Sequence, residues 1–201
     1  TARSCAPHGV ARGGPPGRWE AGLPAVKAIR SFVAVELPSA LRAQLAQVSR
    51  QLASSIPREA VRWVRPEGIH LTLKFLGDVS PGQLPAIQGL AAKAAGRAQA
   101  CVCTVRGLGC FPDPRRPRVI WVGVEEPTGS LAALQQALEQ GLAELGFARE
   151  GRAFNPHLTL GRVRPEAGSA AAQIRLAIEA AGEVDLDRVE ARSICLFSSD
   201  L

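Results

Sequence analysis

The residues of this chain that could do chemistry sit in two short words, His70-Leu71-Thr72-Leu73 and His157-Leu158-Thr159-Leu160. An imidazole, with an ordinary pKa of about 6.5, can take up or release a proton at neutral pH. A hydroxyl can donate a hydrogen bond to an oxygen on which negative charge is building. Side chains of an extended strand alternate with period two, so His70 and Thr72 share one face of their strand, as His157 and Thr159 do of theirs. Two such strands facing one cleft would set an acid and a base on either side of a bound reactant, with threonine hydroxyls to hold a non-bridging phosphoryl oxygen. A lone histidine in an apolar strand reads as a satisfied core residue. Two of three histidines in matched words read as a working pair.

Both words lie in segments with strand character. Over 69–76, Ile69, Leu71, Leu73 and Phe75 alternate with His70, Thr72 and Lys74, as in a half-buried strand. Ahead of it come a β-branched run from Ile29 ended by Pro38, a helix opened by Pro38 and Ser39 with Leu41, Leu45, Val48 and Leu52 on one face, and a short strand at 61–64. Ser80 and Pro81 stand where a helix begins, and that helix runs to about Arg97. The second half gives a strand at 100–108, a Pro-rich loop at 109–117, a strand at 118–124 and a helix carrying Leu131, Leu134, Leu138, Leu142 and Leu145. A strand through FNPHLTLGRV, a helical stretch over 167–181 and a last strand at 189–197 complete it. The order β, α, β, α, β therefore occurs twice.

The repetition extends to letters. FVAVELPS from Phe32 matches WVGVEEPT from Trp121 at an offset of 89, and the HLTL words recur at an offset of 87. Two ordered words on the same predicted elements argue for a duplicated unit in which the two histidines occupy equivalent positions.

Composition bounds the rest. At 201 residues and 46% hydrophobic, the chain can bury a real core as one domain or two small lobes, which excludes disorder throughout. Its apolar runs fall far short of the roughly 20 residues of a membrane-spanning helix, so no membrane association is expected. Five cysteines make no disulfide framework and fit reduced thiols in the cytoplasm. Lys and Arg outnumber Asp and Glu by 24 to 18, and 21 of the bases are arginine, the side chain suited to gripping phosphate. Residues 1–28, rich in Gly, Pro and Arg, read as a disordered leader holding Cys5 and His8.

The segments RSFVAVELP, WVRPEGIHLTLKFLGDV, PRVIWVGV and FNPHLTLGRVR resemble the two-histidine (2H) phosphoesterases, and within them the RNA 2′,3′-cyclic phosphodiesterases, also called 2′-5′ RNA ligases. The likeness covers residues 29–201. It implies an α+β fold of two pseudo-twofold-related, intertwined lobes, each an antiparallel sheet backed by helices, with the active site in the groove between them. It implies no cofactor and no metal. Similar enzymes open a 2′,3′-cyclic phosphate at an RNA end to leave a 2′-phosphate, and some join tRNA halves through a 2′-5′ bond in the reverse sense. Carried over by motif, His70 resembles the proton donor to the leaving 3′ oxygen and His157 the proton acceptor that activates water, beside Thr72 and Thr159. The residues alone leave the order of these two roles open. The partner so implied is RNA with a 2′,3′-cyclic phosphate end, tRNA fragments included, acted on by a monomer.

Two further residues are candidates for substrate binding. Arg162 follows His157 by five, where similar proteins often carry a phosphate-contacting base. Strict alternation puts it on the opposite face, so it reaches the cleft only where the strand bends. Lys74 has the parity of His70 and Thr72. Arg115, Arg116 and Arg118 could track an RNA backbone. Cys101-Val102-Cys103 lacks zinc-site spacing, and the histidine words lack the flanking carboxylates that a catalytic metal recruits. Similar proteins generally continue past the Ile194–Leu201 stretch with one more strand, so Val189 to Phe197 is expected at an edge. A non-catalytic RNA-binding protein on the same fold, or a phosphodiesterase for another cyclic or 2′-5′-linked nucleotide, are the alternatives.

Overall fold

A computed structural model describes residues 28–199. The expected leader lies, apart from Ala28, outside the described residues. Eight strands and four helices follow in the order β1 (Ile29–Val35), α1 (Ser39–Ala53), β2 (Val61–Trp63), β3 (Leu71–Val79), α2 (Leu84–Arg97), β4 (Cys101–Phe111), β5 (Val119–Glu125), α3 (Ser130–Glu144), β6 (His157–Val163), α4 (Ala171–Ala181), β7 (Val189–Ala191) and β8 (Cys195–Ser199). Local chemistry explains the helix boundaries. Pro38 precedes α1, where its fixed φ and missing N–H do no harm. Ser80 and Gln83 form a capping box at the 3-10 turn that leads into α2. Leu41, Leu45, Val48 and Leu52 are the buried stripe of α1, and Leu131, Leu138 and Leu142 that of α3. Both stripes join one core with the inner face of the sheet, each buried leucine contributing roughly 1.5–3 kcal/mol. Among the described residues, no helix is long and apolar enough to cross a membrane.

All strand pairs are antiparallel, in the order β7-β4-β5-β6-β3-β1-β8, with β2 added beside β6. The expected final strand is in fact two. β7 pairs with β4 and β8 pairs with β1, at opposite ends of the strand order, although only Arg192–Ile194 separate them. Three residues reach no further than about 3.3–3.6 Å each, so the sheet must curl until its ends approach. The result is a curled antiparallel half-barrel backed by four helices. The halves are intertwined, because β4 of the first completes the second's sheet beside β5, and β8 of the second completes the first's beside β1.

Strand pairing corrects the alignment of the halves. Val35↔Leu71 and Ala34↔Thr72 in the first half correspond to Val122↔Leu158 and Trp121↔Thr159 in the second, a uniform offset of 87. The FVAVELPS and WVGVEEPT match is therefore two residues out of structural register. Parity survives a shift of two, so Phe32 and Trp121 still share the open face. The stretch Gly109–Phe111, expected as loop, continues β4, and Phe111 opposite Val119 then corresponds to Phe197 opposite Phe32.

Bulges sit at equivalent places in both halves. Leu73 is an extra residue between Ala34↔Thr72 and Val33↔Lys74, and Leu160 is extra between Trp121↔Thr159 and Ile120↔Gly161. Each bulge turns two successive residues toward the helices and reverses the alternation beyond it. The expectation that Lys74 shares the face of His70 is overturned by this bulge. Lys74 is only 3% exposed, and its Nζ donates to Glu139 Oε2 on α3 at 2.9 Å and to the Ala148 carbonyl at 2.6 Å. In the second half the same position is Gly161, whose missing Cβ makes room for Val61 and Trp63 of β2.

A buried ion pair stripped of one partner leaves an uncompensated charge, which typically costs about 3–5 kcal/mol. Lys74→Ala or Glu139→Ala is expected to lower the urea midpoint accordingly, and Lys74→Met combined with Glu139→Leu to recover most of the loss. Equal stability of the single variants and the parent in urea unfolding would show that the pair contributes nothing.

Candidate active site

The two histidine words meet at the centre of the sheet. β3 and β6 touch through a single ladder pair, Leu71↔Leu158. Antiparallel register about that pair sets His70 across from Thr159 and Thr72 across from His157. Both leucines are fully buried and point to the helices, so the four polar side chains stand together on the open face. The two histidines are then diagonal neighbours, a relation that places residues about 7–8 Å apart in an antiparallel pair. That separation leaves room for one small group between the rings, flanked by one threonine from each half.

Aromatic rings wall in each imidazole. The His70 ring lies 4.3 Å from that of Phe197 and 5.6 Å from that of Phe32. Phe111 meets the His157 ring edge-on at 4.9 Å, with Trp121 at 6.5 Å. Phe197 and Phe111 hold equivalent positions, so the duplication repeats the wall as well as the histidine. Gly109 lets the indole of Trp121 lie flat on the strand, since a Cβ there would stand 2.5 Å from its ring.

His157 is oriented by its own strand entrance. Its Nδ1 lies 2.7 Å from the Asn155 carbonyl. A carbonyl can only accept, so Nδ1 carries the proton and the lone pair of the neutral ring is on Nε2. A backbone hydrogen bond at Gly68, again two residues earlier, acts on His70.

Burial is the main influence on both rings and pushes both pKa values below the usual 6.5. The backbone bonds at Gly68 and Asn155 oppose this in part. The remaining charges differ between the halves. Near His70, Arg42 lowers and Glu36 raises the pKa, and these two are paired with each other at 3.2 Å. Near His157, Arg162 alone acts, and it lowers the pKa. Arg162 is thus within electrostatic reach of His157, because the Leu160 bulge supplies the bend that strict alternation lacks. Arg62 on β2 stands directly across from it.

Residues outside the words play other parts. Arg115, Arg116 and Arg118 are exposed in or beside the turn between β4 and β5. Cys101 and Cys103 are buried, and burial pushes the Cys103 thiol up to about 12, which suits packing rather than reactivity. A cavity of about 1100 Å³ is lined by neither histidine. It lies against Gln44, Arg106 and Asp187, whose polar groups are already engaged in the Arg106–Glu125 and Gln44–Asp187 contacts. Sequence reasoning missed the flanking phenylalanines. Their only signal was aromatic residues at open-face parity, readable once the strand pairing is known.

Comparison with known proteins agrees with this geometry. Residues 35–121 and 122–201 each match the LigT like phosphoesterase family. The chain is 38% identical over 136 residues to the RNA 2′,3′-cyclic phosphodiesterase of Methanothermobacter thermautotrophicus, covering 68% of this chain and 72% of that protein. It is 35% identical over 138 residues to the Escherichia coli protein of the same name, covering 69% and 74%. Among solved structures it is similar to E. coli LigT complexed with 3′-AMP, with a TM-score of 0.65 and 28% identity over 87% of this chain and 90% of that one. It is also similar to TT0787 of Thermus thermophilus, with a TM-score of 0.67 and 26% identity over 83% and 86%. A curled sheet with a duplicated histidine strand at its centre defines a phosphoesterase of the 2H class. Within that class the chain belongs to the LigT-like phosphoesterase family.

Because burial disfavours the charged form of both rings, NMR titration is expected to give both pKa values below 6.5, and Arg162→Ala to raise that of His157 while leaving that of His70 in place. Folded values below the unfolded one mean that the unfolded chain binds more protons. The associated stability is complete above about pH 6.5 and is lost as pH falls through the lowered folded values. An unchanged His157 titration in Arg162→Ala would place the guanidinium out of reach.

Proposed function

We propose that this phosphoesterase hydrolyses the 2′,3′-cyclic phosphodiester at RNA ends to a 2′-phosphomonoester. The observation that carries the reading is the Leu71↔Leu158 register, which sets each histidine opposite the other half's threonine around one small space. The names of the curated relatives supply the RNA substrate. In the reaction, Nε2 of neutral His157 takes a proton from water as its oxygen attacks phosphorus. The bond from phosphorus to the 3′ oxygen breaks, and that oxygen takes a proton from the His70 imidazolium. Thr72 and Thr159 donate to the non-bridging oxygens as charge accumulates there. Proton uptake at one ring and release at the other leave the pair ready to exchange a proton and start again.

The unequal surroundings support this order of roles. Arg162 disfavours the cationic form of His157, as a base requires, and its guanidinium can hold a phosphate oxygen on the same side. At His70 the opposing charges of Arg42 and Glu36 leave the ring freer to be protonated when an anionic phosphate arrives. In this reading the reaction needs no metal, since carbon rings and hydroxyls surround the imidazoles, and one chain suffices because it carries both words. Run in the same sense with a ribose 5′ hydroxyl in place of water, His157 would deprotonate that hydroxyl, the 3′ oxygen would again leave with a proton from His70, and a 2′-5′ bond would form between RNA ends, tRNA halves included. The setting we propose is the cytoplasm.

Incubation with a short RNA ending in a 2′,3′-cyclic phosphate, with EDTA present, is expected to give the 2′-phosphate. His70→Ala and His157→Ala should each lose at least 100-fold in rate, the lower end of what general acid-base catalysis supplies. The pH profile of kcat/KM should be a bell whose maximum lies below 6.5, because both rings titrate low in the free enzyme. A flat profile from pH 5 to 9, or full activity in either variant, would refute the acid-base pair. RNA binding without turnover would favour a binding protein on the same fold.

A further inference from the structure

The position five residues after each histidine returns to the open face, because each HLTL word carries a bulge at its second leucine. In the second half this position is Arg162. In the first it is Phe75, which is 53% exposed. Phe75 is not isolated. It stands directly across from Phe32, and Phe32 directly across from Phe197, so three rings form a row over β3, β1 and β8. Phe32 and Phe197 stack at 5.2 Å with planes 10° apart, and both contact His70. Phe75 is the outer end of the row, 6.0 Å from Phe32, and its ring is the one left open to solvent. The buried Lys74 beside it, bonded to Glu139, fixes the bulge that holds Phe75 outward.

From the RNA-end reading of the site, we infer that Phe75 is a stacking platform for the nucleobase next to the terminal, cyclic-phosphate nucleotide of the substrate. The cyclic phosphate sits on the terminal ribose, so the terminal base lies within about one ring width of the histidine pair. Phe32 and Phe197 occupy that zone. Phe75 lies one ring step further out, where the preceding base arrives. An exposed aromatic face accepts any base, since every base has a π-face, and it gives an RNA chain an advantage over a mononucleotide. The duplication thus provides two unlike arms from one position, a cation beside His157 and an aromatic face beyond His70.

The test compares the parent, Phe75→Ala and Phe75→Trp on a nucleoside 2′,3′-cyclic phosphate, on a five-residue RNA with a cyclic-phosphate end, and on that RNA made abasic at its penultimate position. Phe75→Ala should raise KM roughly tenfold on the intact RNA, leave kcat within about twofold, and leave the mononucleotide unchanged. The parent should show the same loss on the abasic RNA, with no further loss in Phe75→Ala, and Phe75→Trp should restore the intact RNA. Equal losses on mononucleotide and RNA, or no loss on either, would overturn the platform. A binding arm separates this inference from the catalytic reading: 2-aminopurine at the penultimate position should be quenched by the parent and not by Phe75→Ala. Quenching without cleavage would keep the platform and sink the hydrolase, whereas bound RNA without quenching would sink the platform.

Discussion

The active site depends on one ladder pair. Leu71 and Leu158 are where β3 meets β6, and no other residues pair these strands. A slip of one residue would turn every side chain of one word to the other face. The leucines of that word would then meet solvent and its histidine the core, so burial of the fully covered Leu71 and Leu158 enforces the alignment of the polar groups. Hydrophobic packing on one side of the sheet sets chemical register on the other.

Such a short junction needs support from elsewhere, and the topology provides it. The exchange of β4 and β8 between halves means that neither lobe can form its sheet without the other. The three-residue link from β7 to β8 curls the sheet and brings its ends together. Both features keep the halves in fixed relation, which an acid-base pair divided between them requires.

Duplication explains what the halves share, and the bulges explain how they differ. Each half contributes a histidine, a threonine, a phenylalanine against the imidazole and a bulge at the second leucine. The residues following the bulge are free to diverge, because one points to the helices and the next returns to the open face. In the first half these are Lys74, tied to Glu139, and Phe75; in the second they are Gly161, covered by Trp63, and Arg162. A symmetric scaffold thereby carries an asymmetric reaction. The aromatic walls add a second effect, since desolvation lowers the pKa of both imidazoles and disfavours their charged forms, an effect that a bound anion opposes.

Local signals in the sequence located most elements. Proline and serine marked the starts of α1 and α2, leucine spacing marked the buried faces of α1 and α3, and the repeated word singled out His70, Thr72, His157 and Thr159. These features depend on residue type and on periods of 2 and 3.6, which neighbours along the chain fully determine. Alternation misplaced Lys74 and left Arg162 facing away, because a bulge is defined by the partner strand and leaves no mark in the sequence of its own. The stretch 189–197 read as one strand for the same reason: its two parts differ only in what they pair with. The letters determined which groups could react. Only the tertiary structure decided which of them face one another, because strand register and bulges are fixed by packing between segments far apart in the chain.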